Sequence, residues 1–372
     1  MRAAAKAPTK TSSASSSGEF GRVETLPVTG GQAARPRRTT LRDVADAANV
    51  DPSAVSRVVN NDPRASVSEA TRKRILEAVA RLGYRANVGA RGLVTSRTWT
   101  IGFVLPSLSN PMYEPIARGV ETEADERGYG IVVGSQVEGK SPRVFANLLQ
   151  EGRVDGLLVA SGTLHDDFIR EIVEHGPGPV VMVNRRVEGV KSSVVVDDEG
   201  ASRTAVDYLE SLGHRVVGGI FGPSEIDTAV RRKAGFAKAV AAHGLQSVEV
   251  DRLGWRPEDG YTGARRILKE APEVTAIYAS TLLMGIGALR AAAENRRPVP
   301  SSLSVVCLHD SPIAEYLVPP LTTVRLPTEQ LGRKAVQLLI ERFEGGRERA
   351  IMIDGDGEIV ERASSGPASA RD

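Results

Sequence analysis

Four polar side chains between residues 53 and 60 are spaced so that a single helix would present them on one face. They are Ser53, Ser56, Arg57 and Asn60, at positions i, i+3, i+4 and i+7. In a DNA major groove, arginine donates two hydrogen bonds to guanine, serine and asparagine bond bases or phosphates, and an alanine, here Ala54, contacts a thymine methyl group. The pattern therefore favours a helix that reads DNA bases, and the alternative is a small helical packing domain with a polar face.

Three short helices are predicted to hold this face in place. The first runs from about Leu41 to Ala48 and has the hydroxyl residue Thr40 as its N-cap. The second follows a tight turn and is capped by Asp51, with a proline at its first position, where the missing N–H costs little. The third begins after Ser68 and ends at Gly83. Because valines occupy the opposite side of the second helix, its polar side is predicted to face outward.

The remainder of the chain has a different rhythm, in which continuous apolar runs alternate with helical segments. The runs cover residues 101–105, 130–133, 156–159, 180–183, 216–221, 276–279 and 303–308. Continuous apolar strands that alternate with helices are typical of a parallel sheet covered on both faces. The number of units predicts two such α/β lobes, with ligands bound in a crevice outside the carboxyl ends of the strands.

Charge is distributed unevenly along the 372 residues. Residues 1–97 sum to +9 and residues 98–372 sum to −7, which together give the formal net charge of +2. A basic module ahead of a longer acidic body favours contact of the front end alone with a polyanion. A solvated basic surface without a partner would have the same composition, and charge does not separate the two alternatives.

Composition also bounds the location of the protein. One cysteine, Cys307, excludes an internal disulfide framework and fits a reducing compartment. No apolar run approaches the roughly 18–20 residues that would span a bilayer, and the N-terminus lacks the apolar stretch of a secretory signal. We therefore expect a cytoplasmic protein without membrane contact, associated with the nucleoid if it binds DNA.

Three stretches of the front end carry a resemblance to a known family. They read TLRDVADAANVDPSAVSRVVN at 40–60, VSEATRKRILEAVARLGYRAN at 67–87 and VGARGL at 88–93. They closely resemble the headpiece and hinge of the LacI-type transcriptional regulators, the lactose and purine repressor family. Matching landmarks continue in order as SNP at 109–111, GY at 128–129, RVDG at 153–156, LGHR at 212–215, RKAGF at 232–236 and PLTTV at 320–324.

The resemblance implies an all-α helix-turn-helix headpiece joined to a two-lobed α/β sensor like a periplasmic binding protein, with parallel sheets of type I. The predicted segments are a disordered extension (1–38), the helix-turn-helix domain (39–86), a hinge helix and linker (87–98), a first lobe (99–196 and 322–346), a second lobe (197–321 and 347–363) and a flexible tail (364–372). It further implies a homodimer that binds a pseudo-palindromic DNA operator, usually as a repressor.

The resemblance assigns DNA-binding roles by position. Bases would be read by Ser53, Ala54, Ser56 and Arg57. Backbone contacts would come from Thr40, Asn60, Tyr84 and Asn87. In the hinge, Leu93 matches the family's minor-groove wedge, and Ala90 and Arg91 would lie beside it. Gly92 is unfavourable in the hinge helix, because glycine disfavours helix by about 1 kcal/mol relative to alanine. If Gly92 lies inside that helix, folding of the hinge would depend more on DNA.

In the same way, the resemblance implies a small effector between the lobes, such as a sugar. Arg232 matches the family's effector-binding arginine. The further candidates are Asn110, Tyr113, Asp197, His309 and Asp310, and Asp197 has the alternative of being a helix cap. The family commonly has Asn-Asp where this chain has Thr281-Leu282, and Asp where it has His309. The loss of an acidic acceptor favours either an unusual effector or a regulator that works without one.

Other classes of protein are less well supported by the residues. Histidine and cysteine show no metal-ligand spacing, no cofactor motif is complete, and no Ser/His/Asp set is visible, so we predict neither a metal, a cofactor nor an enzyme. Such a catalytic set need not be contiguous, and the sequence alone does not exclude one. A solute-binding protein with this body would need a signal peptide and would lack residues 40–93. The segment 354–358, DGDGE, is predicted as a hairpin turn rather than a calcium loop.

Overall fold

The computed structural model describes residues 39–59, 67–84, 97–135, 143–163 and 165–369. The chain divides into two compact units between Ala86 and Asn87, and each unit is described by itself below.

The N-terminal unit contains the three predicted helices, α1 (Leu41–Ala48), α2 (Pro52–Val59) and α3 (Glu69–Leu82). Thr40 caps α1 in a capping box with Asp43, and Gly83 ends α3 in the left-handed conformation. The buried side chains of the three helices form one small core: Val44, Ala45, Ala48, Val55, Val58, Ile75 and Ala78. The predicted bounds of these helices are confirmed.

The larger unit contains two parallel sheets. In chain order its strands are β1 (Thr100–Leu105), β2 (Gly130–Ser135), β3 (Gly156–Val159), β4 (Val180–Val183), β5 (Ser193–Val196), β6 (Val216–Ile220), β7 (Gln246–Val250), β8 (Ala276–Ala279), β9 (Ser304–Leu308), β10 (Thr322–Arg325), β11 (Ala350–Ile353) and β12 (Glu358–Val360). The first sheet has the order β11-β5-β4-β3-β1-β2, and the second has the order β12-β10-β9-β8-β6-β7. All the pairs are parallel except β10 with β12. The predicted two-lobed parallel architecture is therefore confirmed.

Helices follow most of the strands. They are α4 (Tyr113–Glu126), α5 (Arg143–Gln150), α6 (Asp167–His175), α7 (Asp198–Ser211), α8 (Asp227–Ala242), α9 (Pro257–Glu270), α10 (Leu282–Glu294) and α11 (Thr328–Phe343), with a short 3-10 helix at Pro312–Tyr316. Close approach of α4 to α11 depends on Gly119 and Gly332. A Cβ atom on Gly119 would lie 2.0 Å from the carbonyl oxygen of Glu329. This contact fixes the helix whose first residue, Tyr113, lines the crevice described below.

The predicted lobe boundaries near the C-terminus are wrong in two places. Strand β10, predicted in the first lobe, pairs with β9 in the second sheet, whereas β11, predicted in the second lobe, pairs with β5 in the first. The reason is that the chain crosses between lobes between β10 and α11 and again between β11 and β12. Because β11 and β12 belong to different sheets, the segment between them is a crossover, and the predicted hairpin turn there is also wrong.

The predicted flexible tail is wrong for residues 364–369. Ser364 is fully buried, donates to the carbonyl oxygen of Val305 at 2.6 Å and accepts from the amide of Thr322 at 2.8 Å. Ala368 donates its amide to the carbonyl oxygen of Leu212 at 2.8 Å. These hydrogen bonds join the tail to the second lobe.

Candidate DNA-reading face and effector crevice

Helix α2 presents the predicted reading residues on its outer side. Val55 and Val58 are buried in the small core, whereas Ser53 and Arg57 are exposed and Ala54 and Ser56 are partly exposed. Asp51 orients the first turn by accepting a 2.8 Å hydrogen bond from the amide of Ser53. Hydrogen bonding from the side chain of Ser53, and then from its amide, lowers the pKa of the Asp51 carboxyl group. The structure therefore brings the four predicted base-reading residues together on a capped helix.

Two of the residues predicted to contact the DNA backbone, Thr40 and Tyr84, lie in the described part of the N-terminal unit, and their roles on DNA stay predictions. Thr40 is the N-cap of α1, and its hydroxyl donates to Asp43 at 2.7 Å. Tyr84 is half-buried against the small core, and burial raises the pKa of its hydroxyl. The other predicted DNA-contacting residues lie outside the described residues, and their roles stay predictions: Asn60, Asn87, Ala90, Arg91 and Leu93.

A crevice of about 330 Å³ lies in the larger unit, outside the carboxyl ends of strands β1, β3, β4 and β8. Three of the predicted effector residues, Asn110, Tyr113 and Arg232, line it. The other lining residues are Pro106, Ser107, Met112, Gly162, Thr163, Asp166, Asn184, Arg185, Pro223, Ile226, Thr228, Trp255 and Thr281. Its position is the one that a doubly wound sheet favours for ligands.

Arg232 is held rigidly at the floor of the crevice. Its side chain is 2% exposed, with Nε donating to Asp198 Oδ1 at 2.7 Å and Nη1 donating to the carbonyl oxygen of Ser280 at 3.0 Å. Nη2 has no hydrogen-bond partner among the described residues. The indole of Trp255 lies with its ring centroid 5.8 Å from the guanidinium carbon. The site therefore offers one oriented N–H donor group beside an aromatic surface.

Sequence reasoning missed Asp198, the carboxylate on which this arrangement depends. Asp198 is fully buried and pairs with both Arg232 and Arg231, the latter at 2.6 Å. Burial alone would raise its pKa, but the two guanidinium groups hold that pKa below its ordinary value. Its neighbour Asp197, predicted as a site candidate or a helix cap, caps α7 by accepting from the amide of Gly200 at 2.9 Å and does not line the crevice.

Arg231 links the two lobes next to this cluster. Its guanidinium donates to the carbonyl oxygens of Val196 and Asn184, at 2.8 and 3.3 Å, which both belong to the first lobe. It also donates to Asp227 at 3.0 Å. Any change at Asp198 therefore reaches the contact between lobes as well as Arg232.

His309 and Asp310 do not line this crevice, and both line a second cavity of about 510 Å³ that also includes Met112. Asp310 is held in ion pairs with Arg325 and Arg362, at 2.8 and 2.7 Å. His309 is 3% exposed in the left-handed backbone conformation, with φ of 72°, and neither ring nitrogen has a hydrogen-bond partner among the described residues. Burial and the charge of Arg232 lower its pKa to about 3, so the imidazole is neutral at physiological pH. The predicted roles of His309 and Asp310 in effector binding therefore stay predictions.

Thr281 and Leu282, two positions at which this chain departs from the family pattern, lie in different environments. Thr281 lines the crevice and caps α10 by accepting from the amide of Met284 at 3.2 Å. Leu282 is buried in the core of the second lobe and lines no part of the crevice. Only the first of the two substituted positions therefore bears on the ligand.

Two kinds of feature are missing from the described part of the chain. No group of three or more His, Cys, Asp or Glu residues there is arranged to hold a metal ion. None of its helices is both long and apolar enough to cross a membrane.

Two family profiles match the chain. The profile described as bacterial regulatory proteins, lacI family, matches residues 40–87 and so includes α1, α2 and α3. The profile described as a periplasmic binding protein-like domain matches residues 206–365, which include most of the second lobe.

Curated relatives match over nearly their whole length. The HTH-type transcriptional regulator CelR of Thermobifida fusca is 34% identical over 341 residues, which cover 89% of this chain and 99% of that protein. The HTH-type transcriptional repressor PurR of Salmonella paratyphi B is 31% identical over 338 residues, which cover 90% of this chain and 98% of that protein.

Solved structures show the same architecture. A CelR–cellobiose complex matches with 32% identity and a TM-score of 0.66, covering 88% of this chain and 100% of that chain. The lac repressor dimer bound to operator and the anti-inducer ONPF matches with 26% identity and a TM-score of 0.75, covering 89% of this chain and 100% of that chain.

Proposed function

Because the chain belongs to the lacI family of bacterial regulatory proteins, and so is a DNA-binding transcriptional regulator, we propose that it represses transcription as a homodimer on a pseudo-palindromic operator. The observation that carries the proposal is the outer face of α2, which presents Ser53, Ala54, Ser56 and Arg57 while its valines are buried. We further propose that the protein acts by binding alone, without catalysis, at the nucleoid in the cytoplasm.

The geometry of α2 supports base reading rather than mere attraction to phosphate. A major groove admits one helix, and side chains on the first two turns of that helix reach the base edges. Arg57 lies one turn after Ser53, so a helix docked by this face would place both against neighbouring base pairs. Arg57 is the residue that can make the two-pronged bond to guanine.

Replacing Arg57 by Ala is expected to weaken binding to the preferred operator by about 1–3 kcal/mol and to relax the base preference at one position in each half-site. Site selection with the purified protein, followed by titration of the selected duplex, measures both effects. Arg81→Ala is the matched control, because Arg81 is also exposed but lies at the end of α3. If both variants select the wild-type sequence and lose equal affinity, Arg57 contacts the backbone and the reading-face proposal is wrong.

An apolar patch supports the homodimer. Around the short 3-10 helix, the side chain of Tyr316 is 80% exposed and that of Val318 is 95% exposed, with Ile313 exposed beside them. Grouped exposed apolar side chains mark interaction surfaces. A two-fold interface uses the same patch on both copies, which suits a palindromic site.

The double change of Tyr316→Asp and Val318→Asp is expected to raise the dimer dissociation constant at least tenfold, because paired charges would be buried at the interface. Light scattering across a dilution series measures the constant. Met352→Asp introduces a carboxylate at another exposed apolar position, on β11, and is the control. If the double variant stays dimeric over the same concentration range as the wild type, this patch is not part of the dimer interface.

The crevice supports a small polar effector such as a sugar. Amide and hydroxyl groups of Asn110, Tyr113 and Thr163 line it beside the Trp255 ring, and such a mixture suits a ligand with several hydroxyls and an apolar ring face. The CelR structure binds cellobiose, and by similarity we propose a carbohydrate-like effector here. Its test is the release of operator DNA on titration with sugars. An effector-independent regulator is the alternative, and it is favoured if no ligand of the crevice changes operator affinity.

A further inference from the structure

The charges at the floor of the crevice balance one another almost completely. Arg231 and Arg232 form ion pairs with Asp198 and Asp227, so two guanidinium groups face two carboxylates. His309 beside them is neutral, because burial and the charge of Arg232 suppress its protonation. This cluster therefore neither needs nor attracts a further ion.

Arg185 is the exception among the buried charges of the crevice. It lies two residues after the end of β4, lines the crevice and is 6% exposed. Its Nη1 donates to the carbonyl oxygen of Gly162 at 2.9 Å and its Nη2 donates to Tyr113 Oη at 3.1 Å, so both acceptors are neutral. Nε has no partner, and no carboxylate of the described residues forms an ion pair with Arg185. Burial of a charge without a counterion is unfavourable unless something compensates it.

The carboxylate of Asp166 is the other charged group of the crevice wall that bears on this balance. Asp166 caps α6 and accepts a 3.0 Å hydrogen bond from the amide of Ile169, so it already compensates a helix N-terminus. Asp166 and Arg185, both described in the structure, form no ion pair with each other. Asn184, the chain neighbour of Arg185, is an amide and adds no negative charge.

We infer that the effector carries an anionic group, a carboxylate or a phosphate, and that Arg185 binds this group. The inference rests on the proposed effector role of the crevice and names the chemical class of its ligand. The guanidinium supplies a planar, permanently charged donor that matches both anions. Tyr113, whose oxygen accepts from Arg185, keeps its own O–H free to donate to the same anion.

The remaining lining fits the neutral part of such a ligand. Thr228 and Asn110 offer hydroxyl and amide groups, and Arg232 offers its unpaired Nη2. Trp255 provides an aromatic face on the same wall as Arg232. A crevice of about 330 Å³ suits a ligand of monosaccharide size. A sugar acid and a sugar phosphate share this chemistry.

The test measures ligand binding to the full chain with matched charged and neutral probes. The charged probes are D-gluconate, D-glucuronate, glucose 6-phosphate and inorganic phosphate. Sorbitol and D-glucose are their neutral counterparts, chloride at equal ionic strength controls for phosphate, and cellobiose tests a neutral disaccharide. Calorimetry gives the affinity, and thermal unfolding with and without each probe gives an independent readout.

The expected result is that at least one charged probe binds at least tenfold more tightly than its neutral counterpart. Arg185→Gln removes that preference, whereas Arg186→Gln, the same change at the exposed neighbouring arginine, preserves it. Selective binding of glucose 6-phosphate assigns a phosphate, and selective binding of gluconate or glucuronate assigns a carboxylate. If Arg185→Gln does not fold, Arg185→Lys is used, and it is expected to bind the same anion more weakly while keeping the preference for charge.

Three outcomes overturn the inference. In the first, a neutral sugar binds as tightly as every charged probe and releases operator DNA, which leaves the effector role intact while removing the anion. In the second, an anion binds but Arg185→Gln and Arg186→Gln bind it equally, so its site lies elsewhere. In the third, no probe binds and none changes operator affinity, in which case the proposed effector role fails together with the anion.

Discussion

Replacing Asp198 by Asn is expected to lower the free energy of unfolding of the larger unit by about 3–5 kcal/mol, the cost of removing one partner from a buried ion pair. Asp198 is fully buried between Arg231 and Arg232. The asparagine would match its shape but not its charge, so the buried Arg232 would lose its counterion. Arg231 would keep Asp227 at 3.0 Å, which limits the loss to one guanidinium.

Urea unfolding followed by fluorescence of Trp99 and Trp255 measures this change. Asp197→Asn is the matched control at the adjacent residue, because Asp197 caps α7 and asparagine caps a helix about as well as aspartate. We expect the control to lie within about 0.5 kcal/mol of the wild type, since it changes no buried charge. Equal stability of Asp198→Asn and Asp197→Asn would contradict the assignment of Asp198 as the counterion of Arg232.

The headpiece could be predicted nearly to the residue because its determinants are local. Thr40 and Ser68 cap their helices with bonds to residues three positions on, and Gly83 ends α3 within one turn. The valine spacing on α2 decides which side is buried without reference to the rest of the chain. The same local character made the reading face of Ser53 and Arg57 predictable.

The apolar runs predicted the central strands β1, β3, β4, β6, β8 and β9, but they missed β5 and β10, which are also interior strands. Lobe membership could not be predicted either. A run such as Thr322–Arg325 has the same composition whichever sheet it joins, and only its pairing with Val306 and Leu308 places it in the second. Likewise β11 joins β5 across a separation of more than 150 residues in the chain. Long-range pairing of this kind cannot be read from the local pattern of apolar residues in the sequence.

The effector crevice was predictable only in part, for a related reason. Asp197 and Asp198 are adjacent carboxylates. Which of them pairs with Arg232 depends on the residue at which α7 begins, and a shift of one residue would exchange their roles. Arg185 follows a predicted strand at its carboxyl end, a signal that could have identified it. Its significance lies in the missing counterion, which only the three-dimensional structure shows.

Stability of the wild-type protein is expected to fall on acidification partly through His309. In the folded protein the pKa of His309 is about 3, whereas the unfolded chain takes up that proton near pH 6.5. Below pH 6.5 the unfolded state therefore binds one more proton than the folded state, so the free energy of unfolding falls as the pH falls. The slope from this group approaches about 1.4 kcal/mol per pH unit once the unfolded imidazole is fully protonated, which amounts to roughly 2 kcal/mol between pH 6.5 and 4.5.

His309→Asn isolates this contribution, because asparagine does not titrate and tolerates the left-handed backbone at φ of 72°. Carboxylates and the buried His214 are common to both proteins, so their titration cancels in the difference. The stability of the wild type relative to the variant should therefore decline by roughly 2 kcal/mol between pH 6.5 and 4.5 in urea unfolding. His165→Asn, at an exposed position, is the control. Parallel pH profiles for the wild type and His309→Asn would mean that His309 gains a proton in the folded state, and that the neutral cluster around Arg232 and Asp198 acquires a charge.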